Sequence, residues 1–337
     1  MRNAVVITFI FFGTLLFNSL QAQKPLKPNA AELKQALNKL EVLGSAMYLA
    51  AHPDDENTSL IAYLANEKNF RTTYLSMTRG DGGQNLIGTD IREYLGIIRT
   101  QELLAARRTD GGEQHFTRAN DFGYSKDPDE TFNFWDKEKV LSDVVWAIRK
   151  YRPDIIITRF DTTRVAGGRM HGHHTASAIL AQEAFDLAAD ATKFPEQLKK
   201  VETWQPKALY WNTYNFGGSF TSEHENEPGY FSVNLGTYNP LLGKSYGEIS
   251  ALSRSQHKSQ GFGSTGSRGN NPGYLMYWKG EMPKQDVFEN INASWSRIAG
   301  GEVIGKAIRQ INEKFDLTQP SAIVPELMSL RSQIAEL

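Results

Sequence analysis

Short apolar runs alternate with amphipathic stretches along the first two thirds of the chain. Ala46-Met47-Tyr48-Leu49-Ala50 reads as a buried strand, and so do Arg71–Met77, Asp154–Phe160 and Lys207–Asn212. Between them the period lengthens. Ala30–Leu43 carries Leu33, Leu37, Leu40 and Leu43 near helical spacing, and Asn57-Thr58-Ser59 leads into the apolar Leu60–Leu64 as a helix start does. Ile91–Arg108, Trp135–Lys150 and the Ala-rich Thr175–Ala189 are further predicted helices. Strands alternating with helices predict an α/β fold with a parallel sheet covered on both faces.

From Tyr214 to Gly247 the pattern gives way to Gly, Asn, Ser, Pro and aromatic residues with little periodicity. Phe216, Phe220, Tyr230, Phe231 and Tyr238 fall here, after Trp204, Tyr210 and Trp211. Two readings stand: a lid whose aromatic faces stack on sugar rings, or ordinary loop packing. Tyr246–Gln260 is predicted as a helix on which Arg254, His257 and Lys258 form a solvated face, with contact to an anionic substrate group as the other reading. Val324–Leu337 is an amphipathic helix, read either as a terminal helix or as the lead into a further domain. The expected organisation is a targeting segment over 1–22 and one domain over 23–320, followed by the helix 321–337. That domain divides into a core, 44–215, and a lid and C-terminal part, 216–320.

Loops that leave the carboxyl ends of parallel strands share one crevice, where such folds bind ligands. Ala51-His52-Pro53-Asp54-Asp55-Glu56 follows the first strand, and His171-Gly172-His173-His174 follows the strand at 154–160. Alone, the first segment could be a plain helix start and the second a solvated turn. Together at strand ends they bring imidazoles and carboxylates to one point, and two nitrogens with one oxygen around an open position describe a catalytic zinc site. The pattern points to a metallohydrolase. Thr78–Asn85 is a Gly-rich loop at another strand end, read as a wall of the crevice or as a surface turn. Three other matches carry no weight. Gly261-x-Gly263-x-x-Gly266 lacks the preceding strand a dinucleotide site needs, Arg79-Gly80-Asp81 is too short to be specific, and His224-Glu225 lacks a second histidine four positions on.

These residues also carry a family resemblance. Ala51-His52-Pro53-Asp54-Asp55-Glu56 matches the signature of the PIG-L, or LmbE-like, family of zinc-dependent N-deacetylases. His171-x-x-His174 resembles its second motif, and Gly96-x-x-Arg99-x-x-Glu102-Leu103 resembles its arginine–glutamate segment. The resemblance runs from Ala46 to Thr175, with weaker similarity as far as Gly266. It implies a Rossmann-like three-layer sandwich with a mostly parallel sheet, irregular lid loops and C-terminal helices. It further implies His52, Asp55 and His174 as zinc ligands and Asp54 as the general base. His171 would stabilise the oxyanion and protonate the leaving amine. One departure stands out: the family usually has Pro-Asp between its two histidines, where this chain has Gly172-His173. The extra imidazole leaves the ligand order as His174, then His171, then His173.

The chemistry asks for the same residue types. Amide hydrolysis at neutral pH needs a nucleophile better than bulk water, and zinc lowers the pKa of its water to about 7. A carboxylate beside that water serves as base, and an imidazole opposite supports the oxyanion. The expected reaction is zinc-dependent removal of the N-acetyl group from an N-acetylated amino sugar of the N-acetylglucosamine type, within a glycan or glycoconjugate. A zinc amidohydrolase acting on a non-sugar amide is one alternative, and a non-catalytic carbohydrate-binding protein with a relict site is another. Zinc is the expected metal, although His/Asp sites also accept iron or cobalt.

Composition narrows the remaining classes. A formal net charge of −1 argues against a nucleic-acid partner. The absence of cysteine excludes disulfides, thiolate ligands and cysteine nucleophiles. Arg2, the apolar Ala4–Phe17 and Leu20-Gln21-Ala22 read as a cleaved secretory signal, the apolar run falling short of the about 20 residues of a membrane span. With no cysteine after that site, a lipid-modified N-terminus is excluded. The expectation is an exported protein, periplasmic or secreted, without stable membrane insertion.

Overall fold

Strand β1 (Ser45–Ala50) is buried along its whole length, which is why all six positions are apolar or small. Its side chains alternate between two cores, as a central strand requires. Ala46, Tyr48 and Ala50 pack with Leu60, Ile61 and Leu64 of α2 (Thr58–Asn66) and Leu103 of α3 (Glu93–Asp110). Met47 and Leu49 face the other way, toward α5 (Lys137–Tyr151) through Val140, Val144 and Ile148, and toward α6 (Gly172–Leu187) through Leu180 and Ala184. Two helical layers therefore sandwich one sheet. The structure, a computed structural model, describes residues 27–162, 170–213 and 227–337. The expected signal over 1–22 and the lid aromatics Phe216 and Phe220 lie outside the described residues.

The sheet runs in the order β3 (Glu113–Phe116), β2 (Arg71–Ser76), β1, β4 (Ile155–Thr158), β5 (Ala208–Thr213), β9 (Pro272–Gly280), β6 (Tyr230–Asn234). The first five are parallel; β9 pairs antiparallel with both β5 and β6. The chain steps outward from β1 to β2 and β3, then returns to lay β4 on the other side of β1. Order reverses there, and the carboxyl ends of β1 and β4 open the crevice that such sheets use for ligands. The expected mostly parallel three-layer architecture is borne out.

Several elements differ from the sequence reading. Trp135–Lys150 does form one helix, α5, which starts two residues later because Asp136 caps it by accepting from the Lys139 N–H; a separate short helix, α4 (Pro128–Phe134), precedes it where none was expected. Strand β3 is short and half-buried, so its periodicity is faint. Strands β6 and β9 sit where irregular lid and loop were expected. Tyr230 and Phe231 are buried in β6 as part of the packed body of the sheet, and Tyr210 and Trp211 are buried in β5. Those aromatics are core rather than lid. Tyr238, in the two-residue strand β7 (Tyr238–Asn239) that pairs with β8 (Lys244–Ser245), remains exposed. After α7 (Tyr246–Arg254) the predicted helix gives way to an irregular segment and a 3₁₀ turn at Lys258–Gln260.

The C-terminal helices build a satellite core. Ile304, Ile308 and Ile311 of α8 (Gly301–Lys314) pack with Leu37 of α1 (Ala30–Leu40) and Leu330 of α9 (Val324–Ala335). The last helix thus closes on the first. Arg297 ties this unit to the sheet, pairing with Asp154 at 2.8 Å ahead of β4.

Candidate metal centre and active site

The turn after β1 is held in a conformation the chain would not adopt unaided. Asp54 has φ of 87°, a region that non-glycine residues occupy only at a cost of about 1–3 kcal/mol. Three hydrogen bonds hold it there. The Asp54 N–H donates to Glu56 Oε2 at 2.9 Å, while Arg99 Nη2 donates to the Pro53 carbonyl at 2.6 Å and to Asp54 Oδ2 at 3.2 Å. Arg99 Nη1 also donates to the Gly80 carbonyl at 3.1 Å. A Cβ on Gly80, which has φ of +70°, would stand 2.4 Å from Arg99 Nη1. The Gly-rich loop after β2 is therefore a backing plate for the turn, and glycine is what lets it approach.

The second histidine segment lies inside α6 rather than ahead of it. His171 is the N-cap, its ring Nδ1 accepting the His173 N–H at 3.2 Å, and His173 and His174 fall in the first turn. The departure from the family's Pro-Asp has a local cause. Gly172 N–H donates to the Ser125 carbonyl at 2.8 Å, and a Cβ at Gly172 would meet the Asp127 carbonyl oxygen at 2.2 Å. Proline has neither the donor nor the room. His173 is fully buried against Phe122 and Trp135, with Nδ1 2.9 Å from His52 Nε2. It stands behind His52 and orients that ring.

The two segments converge. His52, Asp55 and His174 each present a ligand atom within 4.8 Å of the others, and so do His52, His171 and His173. Asp55 lies between two imidazoles, Oδ2 3.2 Å from His52 Nδ1 and Oδ1 3.4 Å from His174 Nε2. His174 is stacked on Phe160, with ring centroids 3.8 Å apart. The set with a carboxylate has the donors of a catalytic zinc site and suits a dication better than three neutral imidazoles do.

Electrostatics separates the two neighbouring aspartates. Burial alone would raise the pKa of Asp55, but His174 and His52 reverse that and hold it well below the usual carboxylate range. Burial raises Asp54 to about 6 against the pull of Arg99, with the Asp55 charge adding to the rise. Burial resists protonation of His52, yet Asp55 and Asp121 outweigh it and raise its pKa. Burial and the other imidazoles push His171 down to about 3 and His173 to about 2, so both rings are neutral at ordinary pH. With Nδ1 of His171 used as an acceptor, its proton sits on Nε2 and provides one donor.

Two parts of the site escaped sequence reasoning. Asp121, in the loop after β3, brings Oδ2 to 4.0 Å from His52 Nε2 and Oδ1 to 3.8 Å from His173 Nδ1. The signal was an Asp-Phe-Gly at the end of a strand too short to recognise. His257 is the second, and here the expected solvated face is corrected. It is fully buried, Nε2 3.0 Å from Glu56 Oε1, because the chain turns inward beyond α7. Glu56 also accepts from Arg107 Nη2 at 3.1 Å, and Arg107 pairs in turn with Asp110. Glu102, the acid of the third motif, accepts both the Ser259 N–H and its hydroxyl at 2.7 Å. The α3 motif thus fastens the Asp54 turn on one side and the segment after α7 on the other.

Residues 47–185 match the PIG-L family, described as GlcNAc-PI de-N-acetylase. The matched span is a PIG-L-like domain. It is 29% identical over 179 residues to mycothiol S-conjugate amidase of Streptomyces coelicolor, covering 49% of this chain and 59% of that protein. It is 30% identical over 184 residues to 1D-myo-inositol 2-acetamido-2-deoxy-alpha-D-glucopyranoside deacetylase 2 of Saccharopolyspora erythraea, covering 50% of this chain and 64% of that one. The match spans about three fifths of the length of these curated relatives. Among solved structures, N,N'-diacetylchitobiose deacetylase from Pyrococcus horikoshii aligns with a TM-score of 0.46 at 16% identity, over 68% of this chain and 76% of that one. The PIG-L-like domain holds β1 to α6, and so both histidine segments; α7 and the strands β6 and β9 lie beyond it.

Proposed function

We propose that this protein is a metal-dependent deacetylase that hydrolyses the N-acetyl group of an N-acetylated amino sugar. The observation that carries the reading is the convergence of His52, Asp55 and His174, with the carboxylate of Asp54 beside them and paired to Arg99 instead. The Saccharopolyspora relative is named a deacetylase of a 2-acetamido-2-deoxyglucopyranoside, which supports an N-acetylglucosamine-type substrate. His52, Asp55 and His174 would hold the metal. Zinc bound there would make hydroxide available at neutral pH and polarise the acetyl carbonyl. Asp54 accepts the proton of the attacking water and delivers it toward the departing amine. Arg99 fixes the Asp54 carboxylate, and the Nε2–H of His171 steadies the oxyanion.

The direct test pairs metal analysis with acetate release from a panel of N-acetylated saccharides and simple amides. The expected result is about one zinc per chain and acetate from the saccharides, abolished by chelation and restored by zinc. Turnover that survives complete metal removal would overturn the reading, and release from non-sugar amides alone would move the substrate class. A retained Asp54 weighs against a purely carbohydrate-binding role, since binding needs no base beside the metal.

The Asp54 carboxyl can be followed directly. In metal-free protein it should titrate near pH 6, and added zinc should move that midpoint down, because a nearby dication favours the carboxylate. Carboxyl-labelled NMR reads both. A midpoint near the ordinary 3.8 in the metal-free state would remove the burial argument.

Export is proposed alongside. No helix among the described residues is long and apolar enough to cross a membrane. Protein recovered from its native host should begin near Gln23, by N-terminal sequencing, whereas a chain starting at Met1 would defeat the signal reading.

A further inference from the structure

A polar cavity of about 390 Å³ opens beside the candidate site, and the mechanism above leaves it unused. Its wall includes Asn57 and Thr58, where the positive end of α2 begins, together with Asn212, Tyr274 and two arginines. Arg159 follows β4, and its Nη1 donates to Asn212 Oδ1 at 3.4 Å. That same oxygen takes the Tyr48 hydroxyl and Asn57 Nδ2, each at 3.0 Å, so Asn212 is a fixed anchor. Arg254, the last residue of α7, packs its guanidinium 4.0 Å from the Phe262 ring centroid, with Nη1 3.5 Å from the Asp54 carbonyl. Neither contact neutralises its charge. Glu56 also lines the cavity, but its carboxylate is already engaged by Arg107 and His257. Among the described residues Arg254 meets no carboxylate, so its side of the wall is cationic.

We propose that this cavity is a subsite for an anionic substituent, a carboxylate or a phosphate carried by the N-acetylated amino sugar. The proposal rests on the deacetylase reading. Guanidinium groups bind planar anions through paired N–H donors, and a site built around them disfavours a neutral analogue that leaves the donors unpaired. Arg254 touches the residue that carries the proposed base, so an anion seated here would register the sugar against Asp54. Arg254 lies outside the span of the PIG-L match, whereas Asn57, Thr58 and Arg159 of the same wall lie within it.

The test compares N-acetylmuramic acid, N-acetylglucosamine 6-phosphate and neutral N-acetylglucosamine on zinc-loaded wild type, Arg254→Gln and Arg254→Lys. An anionic compound should be preferred over the neutral one by roughly 10–100-fold in kcat/KM, the size of a charge-assisted hydrogen bond, mostly through KM. Arg254→Gln should collapse that preference and Arg254→Lys should keep part of it; the two anionic arms distinguish carboxylate from phosphate. Equal handling of all three compounds overturns the subsite. So does an equal loss on all three in Arg254→Gln, which would make Arg254 a support for the Asp54 turn. If no compound releases acetate, the deacetylase reading falls, and calorimetric binding of the same three compounds to metal-free protein decides the subsite. Tighter binding of an anionic compound, lost in Arg254→Gln, supports it, and indifference to charge ends it.

Discussion

Asp54→Asn should retain metal near the wild-type level while acetate release falls by about 10²–10⁴-fold, the usual contribution of a positioned base. The substitution keeps the side-chain size and one oxygen for Arg99 Nη2, which stands 3.2 Å from Asp54 Oδ2, but it removes basicity. Asp55→Asn should fail differently. Among the described residues Asp55 is the one carboxylate between His52 and His174, and its loss takes an anionic ligand from a dication. That variant should be metal-poor, with activity partly recovered at high zinc. Metal content by mass spectrometry and acetate release, measured on the same preparations, separate the two. Equal metal loss in both would make Asp54 a structural carboxylate and send the search for a base elsewhere. Full turnover by Asp54→Asn would rule out the proposed mechanism.

Arg107→Met should destabilise the protein by about 3–5 kcal/mol, because it leaves buried carboxylates without their cation. Arg107 bridges Glu56 and Asp110, and both acids are inaccessible to solvent. The loss should reach the active turn, since Glu56 also accepts the Asp54 N–H. An exposed pair supplies the contrast. Arg118 and Asp143 meet at 2.7 Å on the surface, and Arg118→Ala should cost less than about 1 kcal/mol. Denaturant midpoints read both variants; similar small shifts would show that the buried network is dispensable. The same network sets an acid limit. Burial opposes ionisation of Glu56, but Arg107 and His257 outweigh it and bring its pKa from 4.5 down to about 2. A depressed carboxylate contributes stability that is complete above about pH 4.5 and is lost as the pH falls toward 2.

Much of this molecule could be read from the chain by itself. β1, β2, β4 and β5 are short apolar runs between amphipathic helices, and that alternation specifies a parallel sheet wherever both faces must be buried. The placement of His52 just after β1, and of His174 on the connection that leaves β4, followed from the same pattern. The sequence could not tell core aromatics from lid aromatics. Tyr230 and Phe231 have the composition of a loop around them, and only pairing of β6 with β9 assigns them to the sheet. Such pairing is long-range, so no local period announces it. His257 and Asp121 were hidden for the same reason. Each gains its role from a partner more than 60 positions away, Glu56 in one case and His52 in the other. Residue type and local period fix which elements form and what chemistry is available. The tertiary structure decides which carboxylate is desolvated and which is paired, because burial and neighbouring charge exist only after the chain has closed on itself.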